Sequence, residues 1–178
     1  MRKKMIALVM TGLCTAMLCP VVQAASVDEL ASVVISALEN KGITYDYDKE
    51  NEWIDMKWTI DGDLEETDVT IFLYDDMVSV AAESPVGFKE DQFEKMAIYT
   101  TLLNNEIFYG EFRLNKDRGK ITVRSSNVIE NVLPGEAEID TLLMMPIRYL
   151  EKYGDGITAI RYNDADPYET FEKVMNAQ

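Results

Sequence analysis

The sequence predicts an α+β domain in which an antiparallel β-sheet of about five strands is flanked by helices, in the order α-βββ-α-ββ-α with a short helix at the end. Three observations predict it. Apolar and polar residues alternate between residues 53 and 82 and again between 108 and 124, the period of half-buried strands. Apolar residues recur at helical spacing over 27–38, 93–103 and 139–160. Between these runs stand the short Gly, Asp, Asn and Pro clusters that turn a chain.

The first element is a targeting segment. Arg2, Lys3 and Lys4 precede an apolar run from Met5 to Cys19, followed by Pro20 and the small-residue pattern Val22, Gln23, Ala24. This reads as a secretory signal peptide spanning residues 1–24 and cut after Ala24, with residues 25–178 as one domain. The run is shorter than the roughly 20 apolar residues of a membrane span, and Thr11, Gly12 and Thr15 interrupt it. Neither Cys14 nor Cys19 is preceded by the small residue expected of a lipid-modified cysteine. The expected location is therefore outside the cytoplasm, periplasmic or extracellular, with no membrane attachment after cleavage.

Cleavage removes both cysteines, and the sequence has no histidine. Disulfides, thiolate nucleophiles, Ser-His-Asp triads and the usual zinc or copper ligand sets are thereby excluded from the mature chain. The 154 residues left are enough to bury roughly 70% of the unfolded surface in one core. Cleavage also removes three of the 17 basic residues and none of the 32 acidic ones, so the formal charge moves from −15 to −18. Nucleic acid and anionic membrane surfaces are disfavoured as partners by a field of that sign. The charge is read first as solubility and second as a surface for cationic protein segments.

Ser26-Val27-Asp28-Glu29 is a capping box, and Val27, Leu30, Val34 and Leu38 then keep helical spacing up to Gly42, a left-handed stop. In the first strand Ile54, Met56, Trp58 and Ile60 face one way, and Trp53, Asp55, Lys57 and Thr59 the other. Asp61-Gly62-Asp63 turns the chain into a second strand, where Val69, Ile71 and Leu73 alternate with Thr70, Phe72 and Tyr74. Asp75-Asp76 makes a two-residue connection to a third strand, Met77 to Ala82. Phe93, Met96, Ala97, Thr100 and Leu103 form one face of a second helix that ends near Asn104 and Asn105.

A hairpin follows, with Phe108, Gly110, Phe112 and Leu114 on one strand face and Ile121 and Val123 on the other strand. Its turn uses Asn115, Asp117 and Gly119. Gly110 either relieves crowding beneath a packed helix or leaves bare backbone for a ligand. From Ile139 to Ile160 the apolar positions keep helical spacing across Pro146, Gly154 and Gly156, as one long kinked helix over 139–162 or as a helix followed by a short strand. Asp166-Pro167-Tyr168-Glu169 starts a terminal helix through Val174, with Asp166 as cap.

Three segments, "LENKGITYDYDKENEWIDMKW", "LLNNEIFYGEFRLNKDRGKITVRSS" and "RYLEKYGDGITAIRYNDADPYETFEKV", resemble the YbjN family across essentially the whole mature chain. The fold of that family looks like that of the type III secretion chaperones. The resemblance implies a helical segment over 139–162 and a dimeric regulatory or protein-binding module without catalysis, so no catalytic residues carry over. Many members of the family are cytoplasmic, whereas this chain carries an export signal, which argues against a literal secretion-chaperone role.

Carboxylates, lysines and tyrosines are the general acids and bases left, so a carboxylate-based hydrolase is the enzymatic alternative, and nothing marks its acid pair. Calcium is the other carboxylate chemistry. A loop starting at Asp61 has Glu66 where an EF-hand needs glycine and Phe72 where it needs a bidentate acid; one starting at Asp46, with Asp48 and Glu50, closes on Lys57. The reading assigns no cofactor, no metal and no catalytic residue. It assigns a protein-binding or dimer face to Trp53, Phe72, Tyr74 and Tyr109, which are too aromatic for a solvated sheet face. They are covered by a second copy or the terminal helix, or they capture a peptide of another exported protein.

Overall fold

The computed structural model describes residues 26–129 and 132–177; the expected signal peptide, residues 1–24, lies outside them. Helix α1 (Val27–Asn40) is followed by strands β1 (Asp46–Asp48), β2 (Trp53–Thr59), β3 (Glu66–Tyr74) and β4 (Met77–Glu83). A single 3-10 turn then leads into α2 (Phe93–Glu106), β5 (Glu111–Asn115), β6 (Lys120–Val128), α3 (Glu136–Asn163) and α4 (Pro167–Asn176). The strands form one antiparallel sheet in the order β1-β2-β3-β4-β6-β5. The expected α+β class is observed, with six strands in place of about five.

The added strand is β1. Its residues Asp46, Tyr47 and Asp48 pair with Asp55, Ile54 and Trp53, continuing the sheet past β2. With two acids and no apolar alternation it carries no strand signature of its own.

The α1 start is the expected capping box: Ser26 Oγ accepts from Glu29 N at 3.3 Å, and the Glu29 carboxylate accepts from Ser26 N at 2.9 Å. That backbone hydrogen bond from Ser26 lowers the Glu29 pKa. Gly42 adopts φ +67° just after the helix. Along β2, β3, β4 and β6 the inward residues Ile54, Val69, Ile71, Leu73, Val78, Val80, Ala82, Ile121 and Val123 are buried. They pack with Leu30, Val34 and Leu38 of α1, Met96 and Leu103 of α2, and Leu143, Ile147 and Leu150 of α3.

The hairpin differs at its entry. Strand β5 starts at Glu111, so Phe108 lies outside it and is 92% exposed, while Phe112 is buried opposite Val123. Gly110 has φ +117°, and a Cβ there would sit 2.7 Å from the Arg124 carbonyl oxygen. The crowding it relieves is against the backbone of β6 and not beneath a helix. Asn104, at the end of α2, accepts from Phe112 N at 2.7 Å and donates to Phe112 O at 3.0 Å. Its amide thus pairs with the outer edge of β5 as a neighbouring strand would.

Helix α3 is continuous from Glu136 to Asn163, so no strand breaks it near Gly154. Pro146 removes the donor that would reach the Leu142 carbonyl four residues back. The buried Ser125 hydroxyl of β6 donates to that oxygen at 2.8 Å, so the orphaned acceptor ties the helix to the sheet. Ser125→Ala is expected to cost ~1–3 kcal/mol, the penalty of a buried acceptor left unpaired. In a Pro146→Ala background the restored amide serves Leu142, and the penalty of Ser125→Ala falls by roughly 1 kcal/mol or more. Urea unfolding of the four proteins measures both; equal penalties would contradict the assignment.

The glycines of α3 mark close approaches. A Cβ at Gly156 would overlap the hydroxyl and ring of Tyr99, and one at Gly154 would lie 2.5 Å from Leu64 Cδ1. Tyr99 is fully buried on α2 and donates to the Tyr153 carbonyl at 2.8 Å; burial pushes its phenol pKa upward. At the far end of α3, Gln92 donates to the Ile160 and Arg161 carbonyls, and Lys95 donates to the carbonyl and carboxylate of Asp164. These partners satisfy carbonyls that the last turn leaves free. Helix α4 begins as expected, with Asp166 accepting from Tyr168 N and Glu169 N and Pro167 in the first turn.

Candidate functional site

Because side chains alternate along each strand, the sheet has a second face, and none of the four helices among the described residues packs on it. Helices α1, α2 and α3 meet the inward face, and α4 packs on α2 and α3. The idea that the terminal helix covers the aromatic residues is thereby overturned. The outward face carries Trp53 of β2, Phe72 and Tyr74 of β3, Met77, Ser79 and Ala81 of β4, and Thr122, Arg124, Ser126 and Val128 of β6.

Three of the four expected aromatics come together there. Trp53 and Phe72 are direct cross-strand partners, with ring centroids 6.4 Å apart in an edge-on arrangement. Both are half-buried, and Tyr74 is 39% exposed. Arg124 lies over the Phe72 ring at 5.3 Å, donates from Nε to Ser79 Oγ at 2.6 Å, and reaches Tyr74 Oη at 3.4 Å. Its guanidinium joins the row in a cation–π contact. Sequence reasoning missed Arg124; its place in the polar register of β6, opposite Ala81, was the signal.

Tyr109 does not join this row. It precedes β5, is 70% exposed, and lines a separate cleft against α3. The displacement follows from the late start of β5, which leaves Tyr109 outside the alternation that would have placed it.

Charge divides the outward face. Asp46, Asp48, Asp55, Glu66 and Asp68 stand on β1, β2 and β3, with Lys57 held between Glu66 and Asp68. Arg113, Lys120 and Arg124 stand on β5 and β6, where Arg113 pairs with Glu111 and Lys120 with Glu83. A shallow cleft of about 470 Å³ between Phe72, Leu114, Arg113, Lys116 and Arg124 marks the basic half.

Two of the carboxylates weighed for calcium or hydrolysis, Asp48 and Asp63, serve as structural ties. Asp48 accepts from Asn51 Nδ2 and from the amides of Asn51 and Glu50, and the Asn51 side chain is the main cause of its lowered pKa. The Asp63 carboxylate accepts from Thr158 Oγ1 at 2.8 Å, while Asp61 N and Asp63 N donate to Glu151 and Asp155. The turn is pinned to α3 by its own Asp63 and by the helix acids Glu151 and Asp155. Among the described residues no cluster of three or more metal-ligating side chains is placed to hold a metal. No helix among them is long and apolar enough to cross a membrane.

No protein-family model matches the chain, and no curated protein matches it significantly in sequence. Among solved structures it is similar to YbjN from E. coli, described as a candidate transcription regulator. The match covers 68% of this chain and 85% of that one, with a TM-score of 0.52 and 10% sequence identity. The chain therefore has a YbjN-like fold.

Proposed function

We propose that this YbjN-like domain is an exported, non-enzymatic protein-binding module that works as a homodimer, with its open sheet face as the contact between copies. The observation that carries the reading is the half-buried Trp53–Phe72 pair on a face that no helix among the described residues covers. Aromatic pairs of this kind favour an occupied face, since leaving them wet forfeits about 25 cal/mol per Å² of apolar area.

The charge division supports a second copy as the occupant. A twofold axis between two facing sheets and parallel to their strands would lay the basic half, Arg113, Lys120 and Arg124, over the acidic half of the other molecule, Asp46, Asp55 and Asp68. Asp48 and Asp63, two of the carboxylates weighed for chemistry, are tied into turns, which favours binding over catalysis. A formal charge of −15 weighs against carrying over the transcriptional description of YbjN as nucleic-acid binding. Export rests on the basic-then-apolar segment that ends at Ala24.

Fluorescence tests the reading. Trp58→Phe leaves Trp53 as the sole tryptophan of the mature chain. Its emission is expected to shift to the red as the protein is diluted and the face becomes wet, with the far-UV spectrum unchanged. Emission independent of concentration, at the wavelength of a solvated indole, would contradict the homodimer.

A further inference from the structure

One row of residues runs across the outward face of the sheet. Asp46 of β1, Asp55 of β2, Thr70 of β3, Ala81 of β4, Arg124 of β6 and Glu111 of β5 are successive cross-strand partners. The row crosses β3 and β6 at their midpoints, Thr70 and Arg124. Its two central members, Thr70 and Ala81, are small and half-buried, and its charges lie outside them.

Four cations stand on the strands of this face, and three are neutralised by carboxylates of their own chain: Lys57 by Glu66 and Asp68, Arg113 by Glu111, and Lys120 by Glu83. Arg124 is the exception among the described residues. Its contacts are neutral, with Ser79 Oγ, Tyr74 Oη and the Phe72 ring, while its cross-strand neighbour Glu111 is taken by Arg113. A half-buried guanidinium without a carboxylate is unexpected in a chain with 32 acidic residues against 17 basic ones. Across the row Asp55 is exposed and accepts from Thr70 Oγ1 at 2.6 Å, with no cation beside it among the described residues. It lies directly opposite Asp46, and like charges so placed destabilise a sheet. The two unmatched charges are symmetrically placed, each one strand in from its edge of the sheet.

We propose that Arg124 of each copy engages Asp55 of the other, and that this pair sets the register of the face-to-face dimer. The pairing rests on the homodimer reading and fixes its geometry. Three strands lie on each side of the boundary between β3 and β4. A twofold axis along that boundary, parallel to the strands, lays β6 over β2 and β4 over β3 of the second copy. Each cross-strand row then faces itself reversed, so Arg124 meets Asp55, with Asp46 beside it, and Thr70 meets Ala81. Stacked sheets lie about 10 Å apart, a gap that an arginine and an aspartate bridge together. The neighbouring row suits the same axis, because Phe72 meets Ser79 and Trp53 meets Ser126, large against small. In the row on the other side Asp68 meets Glu83, each held by its own lysine. An axis across the strands would instead set the cations of β6 against those of the other copy, which costs affinity.

The test exchanges the charges. Asp55→Arg sets arginine against Arg124 at both contacts of the twofold, and Arg124→Asp sets aspartate against Asp55. Each variant alone is expected to raise the dimer dissociation constant about a hundredfold or more, read by sedimentation equilibrium. An equimolar mixture is expected to associate within about tenfold of the parent, because the mixed dimer holds one native pair and one with its charges exchanged. Native mass spectrometry with one variant isotope-labelled is expected to show the mixed dimer in excess over either homodimer. Far-UV circular dichroism checks both folds. If a reversed charge unfolds the chain, Asp55→Asn, Arg124→Gln and their combination answer the same question. Their combined loss is expected to fall about tenfold or more short of the product of the single losses. A parent chain that stays monomeric removes the homodimer and the pairing together. A parent dimer whose charge variants associate as well alone as mixed, or whose neutral variants lose affinity independently, overturns the pairing and leaves the dimer standing.

Discussion

Phe72→Asp is expected to abolish self-association while leaving the domain folded. Phe72 touches Trp53 and Arg124 on the outward face and is not part of the buried core, so its replacement opens no internal cavity. The new carboxylate lies beside the Arg124 guanidinium and the Ser79 hydroxyl, which sits opposite in the register. Stability is thus expected to change by no more than about 1 kcal/mol. Association is affected far more. An aromatic at the centre of an interface commonly contributes ~2 kcal/mol or more, and a twofold contact contains it twice, so the dimer dissociation constant rises roughly a thousandfold. Concentration-dependent light scattering and thermal unfolding read the two effects separately. A variant that still associates as the parent does removes Phe72 from the interface.

The largest effect on stability is expected from Gly156→Ala. Alanine is the better helix former by about 1 kcal/mol, so an exposed glycine in mid-helix would gain from this change. Gly156 is buried under Tyr99, and the added methyl would overlap the phenol, whose hydroxyl is held by the Tyr153 carbonyl. Neither α2 nor α3 can yield without moving the other, so the net cost is expected at ~2–4 kcal/mol. Tyr99→Leu alone also costs stability, by losing ring volume and the hydrogen bond. Combined with Gly156→Ala it is expected to cost clearly less than the sum of the two, because the clash vanishes. Denaturant unfolding of the cycle measures this; additive penalties would mean that the overlap is relieved elsewhere.

That glycine also shows where the sequence stops being legible. Periodicity alone traces α1, α2 and the four strands that carry the core, because inward residues such as Ile71 and Val123 sit between outward ones such as Phe72 and Arg124. Caps at Ser26 and Asp166 read directly from the side chains that make them. Gly154, Gly156 and Pro146, by contrast, look like helix breakers until their partners Leu64, Tyr99 and Ser125 are known, and those partners are remote in the chain. Tyr99 carries no sign that it will be wedged between helices. Strand β1 forms because β2 offers a free edge, and its own residues carry no signal for it. Of the candidate site, Trp53, Phe72 and Tyr74 follow from alternation; Tyr109 departs because it precedes Glu111, the first residue paired with β6.

The proposed contact face follows from this architecture. The helices fill one side of the sheet and the aromatic row waits on the other. A binding module of the proposed kind needs no reactive group, and residues 25–178 contain neither histidine nor cysteine.

Sedimentation velocity of the mature chain, from low micromolar to near-millimolar concentration and at low and high salt, weighs the face-to-face pairing most directly. A dimer that loosens as salt screens Arg113, Lys120 and Arg124 from the opposing acids is the predicted result. A monomer throughout, with Trp53 and Phe72 open to solvent, would contradict it.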